Sequence, residues 1–308
     1  MHFLIVGPGA MGCLFAARLK RAGHNVTLLD YKRERAEKIK RQGVVVEGVT
    51  GEYTVDVPIE TGEDVSSQPD FALICVKSTK TREAADSIRT WLPRKTMIVT
   101  LQNGLGNLEI LTGIFGKDRV LGGVTAQGAT ALGWGRIRHA GQGSTVIGPK
   151  GEPGGPLEDL LSAFNEAGFS TSSAEKVEEL IWGKLIINIG INALTAITGL
   201  KNGRLTGTDG TRAIMSDAVK EAVAVVNAKR IKLPYPDPLG RVMEVCRDTA
   251  PNISSMLQDI LHKKTTEVEF INGAIVREGK ALGINTPVNK TLALLIQTLE
   301  ETYDERVR

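Results

Sequence analysis

The chain has 308 residues, 42% of them hydrophobic and 24% charged, an ordinary soluble globular balance on a length that suits two domains better than one core. Its net charge of +3 comes with no basic patch. The densest basic stretch, Lys32 to Arg41, also carries Glu34 and Glu37 and reads as a solvated helix face, so nucleic acid is not an expected partner.

The apolar run from Phe3 to Val6 lacks the basic region of a signal peptide and reads as a first strand. The longest apolar stretch, Leu180 to Leu200, is interrupted by Lys184, Asn188 and Asn192, so no membrane span is expected. Cys13, Cys75 and Cys246 lie in apolar stretches and cannot all pair. Buried, reduced thiols suit a cytoplasmic protein. Four scattered histidines offer no metal-ligand cluster.

The first half alternates short β-branched runs with helical patterns, as parallel βαβ units do. His2–Val6 reads as a strand, Ala10–Ala22 as a helix, Asn25–Asp30 as a second strand and Lys32–Arg41 as a charged helix. A hairpin is expected from Val44–Glu47 and Tyr53–Ile59, turning around Gly48 to Gly51. Phe71–Val76 is a continuous apolar run, expected as a strand buried on both faces. Lys80–Leu92 is helical, and Thr96–Leu101 is another buried strand. From Arg119 to Gly148 short glycine-rich strands are expected as antiparallel additions to the sheet, followed by a turn-rich break from Gly151 to Gly155. The helix Leu157–Ala167 and a strand near Phe169–Ser172 close this half.

Beyond Ala174 the pattern is helical almost to the end, over Val177–Ile197, Thr208–Lys229, Pro238–Asp248, Ser254–Leu261, Thr266–Leu282 and Val288–Asp304. The expected fold class is therefore α/β. A Rossmann-type cofactor-binding domain over residues 1–174 precedes an all-α substrate and catalytic domain over residues 175–308.

Gly7-Pro8-Gly9-Ala10-Met11-Gly12 fits G-x-G-x-x-G, directly after a strand and at the start of a helix, the context that gives this motif meaning. The first glycine makes the tight turn, the second admits backbone close to a pyrophosphate, and the third lets helix and strand pack closely. The anion is then held by the free N–H groups and dipole of the helix N-terminus. Pro8 removes one of those donors. Asp30 ends the second strand, where an acidic residue holds the ribose 2′-hydroxyl of NAD and repels a 2′-phosphate. Lys32 and Arg33 follow at once and either pair with such a phosphate or are solvated helix-start cations. The two signals conflict.

Lys184, Asn188 and Asn192 stand at i, i+4 and i+8 in an otherwise apolar helix, so they share one face. Buried polar groups demand partners. Such a stripe is an interhelical hydrogen-bond network, a solvent face or a ligand-facing wall, and the shortage of charge favours the wall. A lysine there serves as a general acid if desolvation lowers it from about 10.4 toward about 7–8. In the segments 252–260 and 265–273, Ser255 and Asp259 are i, i+4 neighbours, and a serine at a helix start is often only an N-cap. Thr266-x-x-Glu269 reads as a capping box, which leaves Glu267 without a structural role.

Several stretches together resemble the ketopantoate reductases, the 2-dehydropantoate 2-reductases of pantothenate biosynthesis. They are the glycine loop, Cys75-Val76-Lys77, Leu101-Gln102-Asn103-Gly104-Leu105-Gly106, Gly122-Gly123-Val124-Thr125-Ala126 and Trp182-Gly183-Lys184-Leu185 with Asn188 and Asn192. Asn252 to Ile260, Thr266-Glu267 and Ile271-Asn272-Gly273 complete the set, in order across nearly the whole chain.

The resemblance implies NADPH-dependent reduction of ketopantoate to (R)-pantoate. By it, Lys184 is similar to the catalytic lysine that protonates the developing alkoxide, and Glu267 to the carboxylate engaging lysine and substrate. Asn188, Asn192 and Ser255 resemble the substrate-binding side chains, and Asp259 a polar position near the substrate. Asn103 would lie at the nicotinamide and help position Lys184, and Lys77 would touch the cofactor. Family members that use NADPH commonly carry a basic residue at the end of the second strand. Asp30-Tyr31 stands there instead, so NAD stays open beside NADP. The implied partner is a small 2-keto acid, with neither nucleic acid nor membrane. The helical domain has room for a homodimer interface that no residue pattern locates. A reductase of another branched 2-keto acid and a catalytically silent dinucleotide-binding regulator are the competing readings; retention of Lys184 and Glu267 argues against the regulator.

Overall fold

The computed structural model describes residues 1–62, 68–149 and 155–305. The chain divides into two compact units, residues 1–102 with 107–178, and residues 103–106 with 179–308. All but the last residue of the expected break from Gly151 to Gly155 lies outside the described residues.

In chain order the first unit holds β1 (His2–Val6), α1 (Ala10–Arg21), β2 (Asn25–Asp30), α2 (Arg33–Gln42), β3 (Val44–Gly48), β4 (Tyr53–Val55), β5 (Ile59–Thr61) and β6 (Phe71–Ile74). There follow α3 (Thr81–Ile88), β7 (Met97–Thr100), α4 (Asn107–Phe115), β8 (Val120–Thr125), β9 (Gly128–Gly133), β10 (Arg136–Gly141), β11 (Thr145–Pro149), α5 (Gly155–Glu166) and β12 (Thr171–Ser173). Eight strands form one sheet in the order β12-β11-β8-β7-β6-β1-β2-β5. Its centre is parallel, and β6 is buried at every position, as the unbroken apolar run requires of a strand covered on both faces. Val6 pairs with Leu29 and with Ile74, and Ile74 with Thr100. The carboxyl ends of β1, β2, β6 and β7 are therefore level. That register brings the glycine loop, Asp30 and the segments after β6 and β7 to one edge of the sheet, where open α/β sheets bind ligands. Phe15, Phe164 and Phe169 pack α1 and α5 together with centroids 5.2 to 5.6 Å apart.

Two expectations change, and one element appears that no expectation covered. The run Tyr53–Ile59 splits at Pro58, which cannot donate to a ladder. Its first part, β4, pairs antiparallel with β3, while β5 joins the main sheet beside β2. The strands between Arg119 and Gly148 are not all antiparallel additions to that sheet. Only β11 is antiparallel to β8; β8 itself runs parallel to β7. β9 and β10 leave for a second sheet, β4-β3-β10-β9. Lastly α4, only nine residues, fills a stretch that no periodic pattern marks.

The second unit contains α6 (Val177–Thr198), α7 (Asp209–Ala228), α8 (Pro238–Asp248), α9 (Ser255–Leu261), α10 (Asn272–Leu282) and α11 (Pro287–Glu301). α6 is long and apolar enough to cross a membrane by length and composition, yet 67% of its most apolar window is buried within the fold. Trp182, Leu185, Ile186 and Ile189 supply that core. The helix expected over Thr266–Leu282 is broken. A 3₁₀ turn, Val268–Phe270, precedes α10, with Ile271 at φ −110° and ψ −92° between them. The capping box does not form. The Thr266 hydroxyl accepts from the Val268 N–H at 3.1 Å, the Thr266 N–H donates to Glu300 at 2.9 Å, and Glu269 binds Arg277 and Gln297 instead.

Candidate active site

In the glycine loop Gly7 turns the chain with φ +101°, and its N–H continues the ladder to the Leu29 carbonyl at 3.0 Å. A Cβ on Gly12 would stand 2.1 Å from the Gly7 oxygen, so this position brings α1 onto the turn. A Cβ on Gly9 meets nothing nearer than 4.0 Å. Gly9 is exposed, Pro8 is buried, and Ala10 and Met11 are half-buried. No side chain caps α1, and its first turn carries no acidic residue. Two glycines thus serve the protein's own packing, and the third leaves open backbone at uncapped helix N–H groups. That cradle fits a dinucleotide pyrophosphate.

Asp30, at the end of β2, is differently engaged from what its position implies. Its side chain is fully buried and accepts two bonds from Arg35, each 2.5 Å, and a third from the Lys32 N–H at 3.0 Å. Lys32 and Arg33 are exposed, Arg33 lying 3.9 Å from Glu37. Arg35 escaped the sequence reading. Its signal is a position in the first turn of the helix after Asp30. Burial pushes the Cys13 and Cys75 thiols up to about 12, so neither is a nucleophile near neutrality.

After β6 and β7 a polar cluster braces the sheet edge. Gln102 donates to the Val76 carbonyl at 2.7 Å and to the Thr81 hydroxyl at 2.9 Å. Thr81 in turn donates to Asn107 at 2.7 Å, and Asn107 to Ser78 at 3.0 Å. Lys77, half-buried, opens the turn that carries Ser78. Residues 103–106, between Gln102 and Asn107, belong to the helical unit. There the Leu105 N–H donates to the Phe270 carbonyl at 2.8 Å. Gly104 adopts φ +84°, where a Cβ would fall 2.3 Å from the same oxygen. Half-buried Asn103 heads this loop.

In the helical unit the stripe on α6 grades inward: Lys184 and Asn188 are half-buried and Asn192 is buried. Neither amide side chain is hydrogen-bonded to another described residue, whereas Lys184 and Glu267 interact. Glu267 is buried at the start of the 3₁₀ turn, its carbonyl accepting from the Phe270 N–H at 2.9 Å. Desolvation lowers Lys184 from 10.5 to about 8, against the pull of the Glu267 carboxylate, which raises it. Tyr235 donates to the Gly183 carbonyl at 2.6 Å and so props the turn carrying Lys184. At the start of α9 the cap is Ser254, whose hydroxyl accepts from the Leu257 N–H at 3.0 Å and from Thr195 at 2.6 Å. Ser255 is thereby left exposed on the first turn, and Asp259 is buried one turn later. Among the described residues no group of His, Cys, Asp and Glu is arranged to hold a metal. A lysine lowered in this way can give up a proton near neutral pH, and serine and asparagine side chains can hydrogen-bond a carboxylate or a carbonyl.

The Ketopantoate reductase PanE/ApbA family matches residues 3–152, and its C-terminal counterpart matches residues 176–300. A 2-dehydropantoate 2-reductase of Halobacterium salinarum is 33% identical over 299 residues, 96% of this chain and 98% of that protein. Among solved structures, a PanE/ApbA family ketopantoate reductase from Ralstonia eutropha superposes with a TM-score of 0.90 at 33% identity, covering 99% of this chain and 100% of that one. A D-mandelate dehydrogenase solved with NADH and anilino(oxo)acetate gives 0.92 at 25% identity, with the same coverage.

Proposed function

The chain belongs to the ketopantoate reductase family, and from that premise we propose that it reduces 2-dehydropantoate to (R)-pantoate with a nicotinamide cofactor. The observation that carries the reading is Lys184, lowered to about 8 on the same helix face as two untethered amides. A 2-keto acid needs a donor for the oxygen that becomes negative, and a lysine poised near neutrality supplies both charge and proton. In this reading the Glu267 carboxylate engages Lys184 and the substrate and favours the charged lysine, and solvent returns the proton that Lys184 gives up. Asn188, Asn192 and Ser255 hydrogen-bond the substrate's carboxylate and hydroxyl groups, and Asp259 shapes the polar end of α9. Asn103 helps position Lys184.

The cofactor supplies the hydride when bound. Residues 1–174 form its domain and residues 175–308 the substrate domain. Gly7 to Gly12 hold the pyrophosphate, with Lys77 as a further contact. NADPH is the preferred donor, because the Asp30 carboxylate is closed off while Lys32 and Arg33 are exposed. The reaction takes place in the cytoplasm, and the helical domain has room for a homodimer interface.

Following reduced-nicotinamide absorbance with ketopantoate and a panel of 2-keto acids, each with NADPH and NADH, tests the proposal. Fastest turnover is expected for ketopantoate with NADPH. The likeness to D-mandelate dehydrogenase favours one second reading, a bulkier 2-keto acid reduced with NADH, which the same panel would reveal. No turnover with any acid would return the regulator reading.

A further inference from the structure

At the end of β2 in a dinucleotide-binding sheet, a free carboxylate accepts bonds from the ribose hydroxyls and repels a 2′-phosphate. Asp30 has the position but not the freedom. Its side chain is fully buried, and Arg35 occupies both oxygens at 2.5 Å, with the Lys32 N–H on one of them at 3.0 Å. Arg35 comes from the first turn of α2 and is itself only 17% accessible. It stands 5.4 Å from the centre of the exposed Tyr31 ring, and the Lys32 ammonium stands 5.8 Å from the same ring. Other charges on this turn are Arg33, Glu34 and Glu37, all exposed. The carboxylate that reads as an NAD signal is thus neutralised and hidden, and the exposed Lys32 and Arg33 remain beside it, Arg33 lying 3.9 Å from Glu37.

We propose that Arg35 sets the cofactor preference: by holding Asp30 in this buried pair it removes the residue that would select NAD and leaves Lys32 and Arg33 to receive a 2′-phosphate. This rests on the reading that the chain binds a nicotinamide dinucleotide. Arg35 acts through Asp30 and is a positioning residue. Without it, the carboxylate carries an uncompensated charge at the ribose end of the glycine-loop site, accepts the diol of NAD and opposes the phosphate of NADP.

Calorimetric titration of the full chain with NADP⁺ and with NAD⁺ tests this in four proteins: the wild type, Arg35→Leu, Asp30→Asn and the double variant. Thermal melts establish that each is folded. The wild type is expected to favour NADP⁺, and Arg35→Leu to move the ratio of dissociation constants toward NAD⁺ by about tenfold or more. Asp30→Asn and the double variant are expected to keep the wild-type preference, since neither carries the carboxylate. A purely structural role for Arg35 would weaken both ligands alike, so a ratio moved by less than about twofold in Arg35→Leu overturns the proposal. So does a double variant that favours NAD⁺, which decides the matter even if Arg35→Leu alone does not fold. A wild type that binds neither dinucleotide overturns the underlying reading and this proposal with it. That outcome is distinct from tight binding of both with an unmoved ratio, which removes only the role of Arg35.

Discussion

Replacing Glu267 with Gln removes a charge that holds the Lys184 ammonium up against desolvation. With the carboxylate present Lys184 titrates at about 8. The protonated form is the working general acid, so kcat/KM for the keto acid is expected to be level below that value and to fall about tenfold for each further pH unit above it. A carboxylate within contact range raises a neighbouring cation by about 1–3 pKa units. Its loss should therefore carry the alkaline limb down to about 7 or below. At pH 8 the variant would then be at least about tenfold slower from protonation alone, and that part of the defect should shrink as the pH is lowered. The assay is nicotinamide oxidation under kcat/KM conditions from pH 5.5 to about 9.5, because this parameter reports the free enzyme's essential groups. A limb that stays in place, or moves to higher pH, refutes the coupling between these two side chains.

Lys184→Met should cut turnover by about 10²–10⁴-fold while leaving dinucleotide affinity intact, as calorimetry would show. It should also raise the melting temperature at pH 7. The folded-state value of Lys184 lies below its unfolded one, so the full desolvation cost, up to about 3 kcal/mol, is present below pH 8 and fades as the pH rises toward 10.5. Gly9→Ala meets open space and should fold normally but bind dinucleotide weakly, whereas Gly12→Ala drives a methyl into the Gly7 carbonyl and should lower both melting temperature and affinity. Ser254→Ala is expected to cost about 1 kcal/mol through loss of the α9 cap, measured by urea unfolding. Ser255→Ala should leave stability unchanged and raise KM. Gly104→Ala forces a strained φ and a clash with the Phe270 carbonyl, at about 1–3 kcal/mol. Because Phe270 ends the turn that Glu267 begins, kcat should fall with it.

Local pattern alone determined a good part of this protein. The bounds of β1, β2 and α8, the identity of the glycine loop and the shared face of Lys184, Asn188 and Asn192 all follow from periodicities and turn chemistry that act within a few residues. What those residues do to one another is a different matter. Pro58 sent β5 to another sheet, Ser254 took the cap from Ser255, and Glu269 abandoned Thr266 for Arg277 and Gln297. The tertiary structure also decided that Phe270 receives Leu105 and that Arg35 closes over Asp30. An acidic residue at the end of a second strand is the same letter in the sequence whether its carboxylate is free or paired. Only the fold brings the competing donor within 2.5 Å, and at that range a charge-assisted pair outweighs the local preference from which the sequence had to be read.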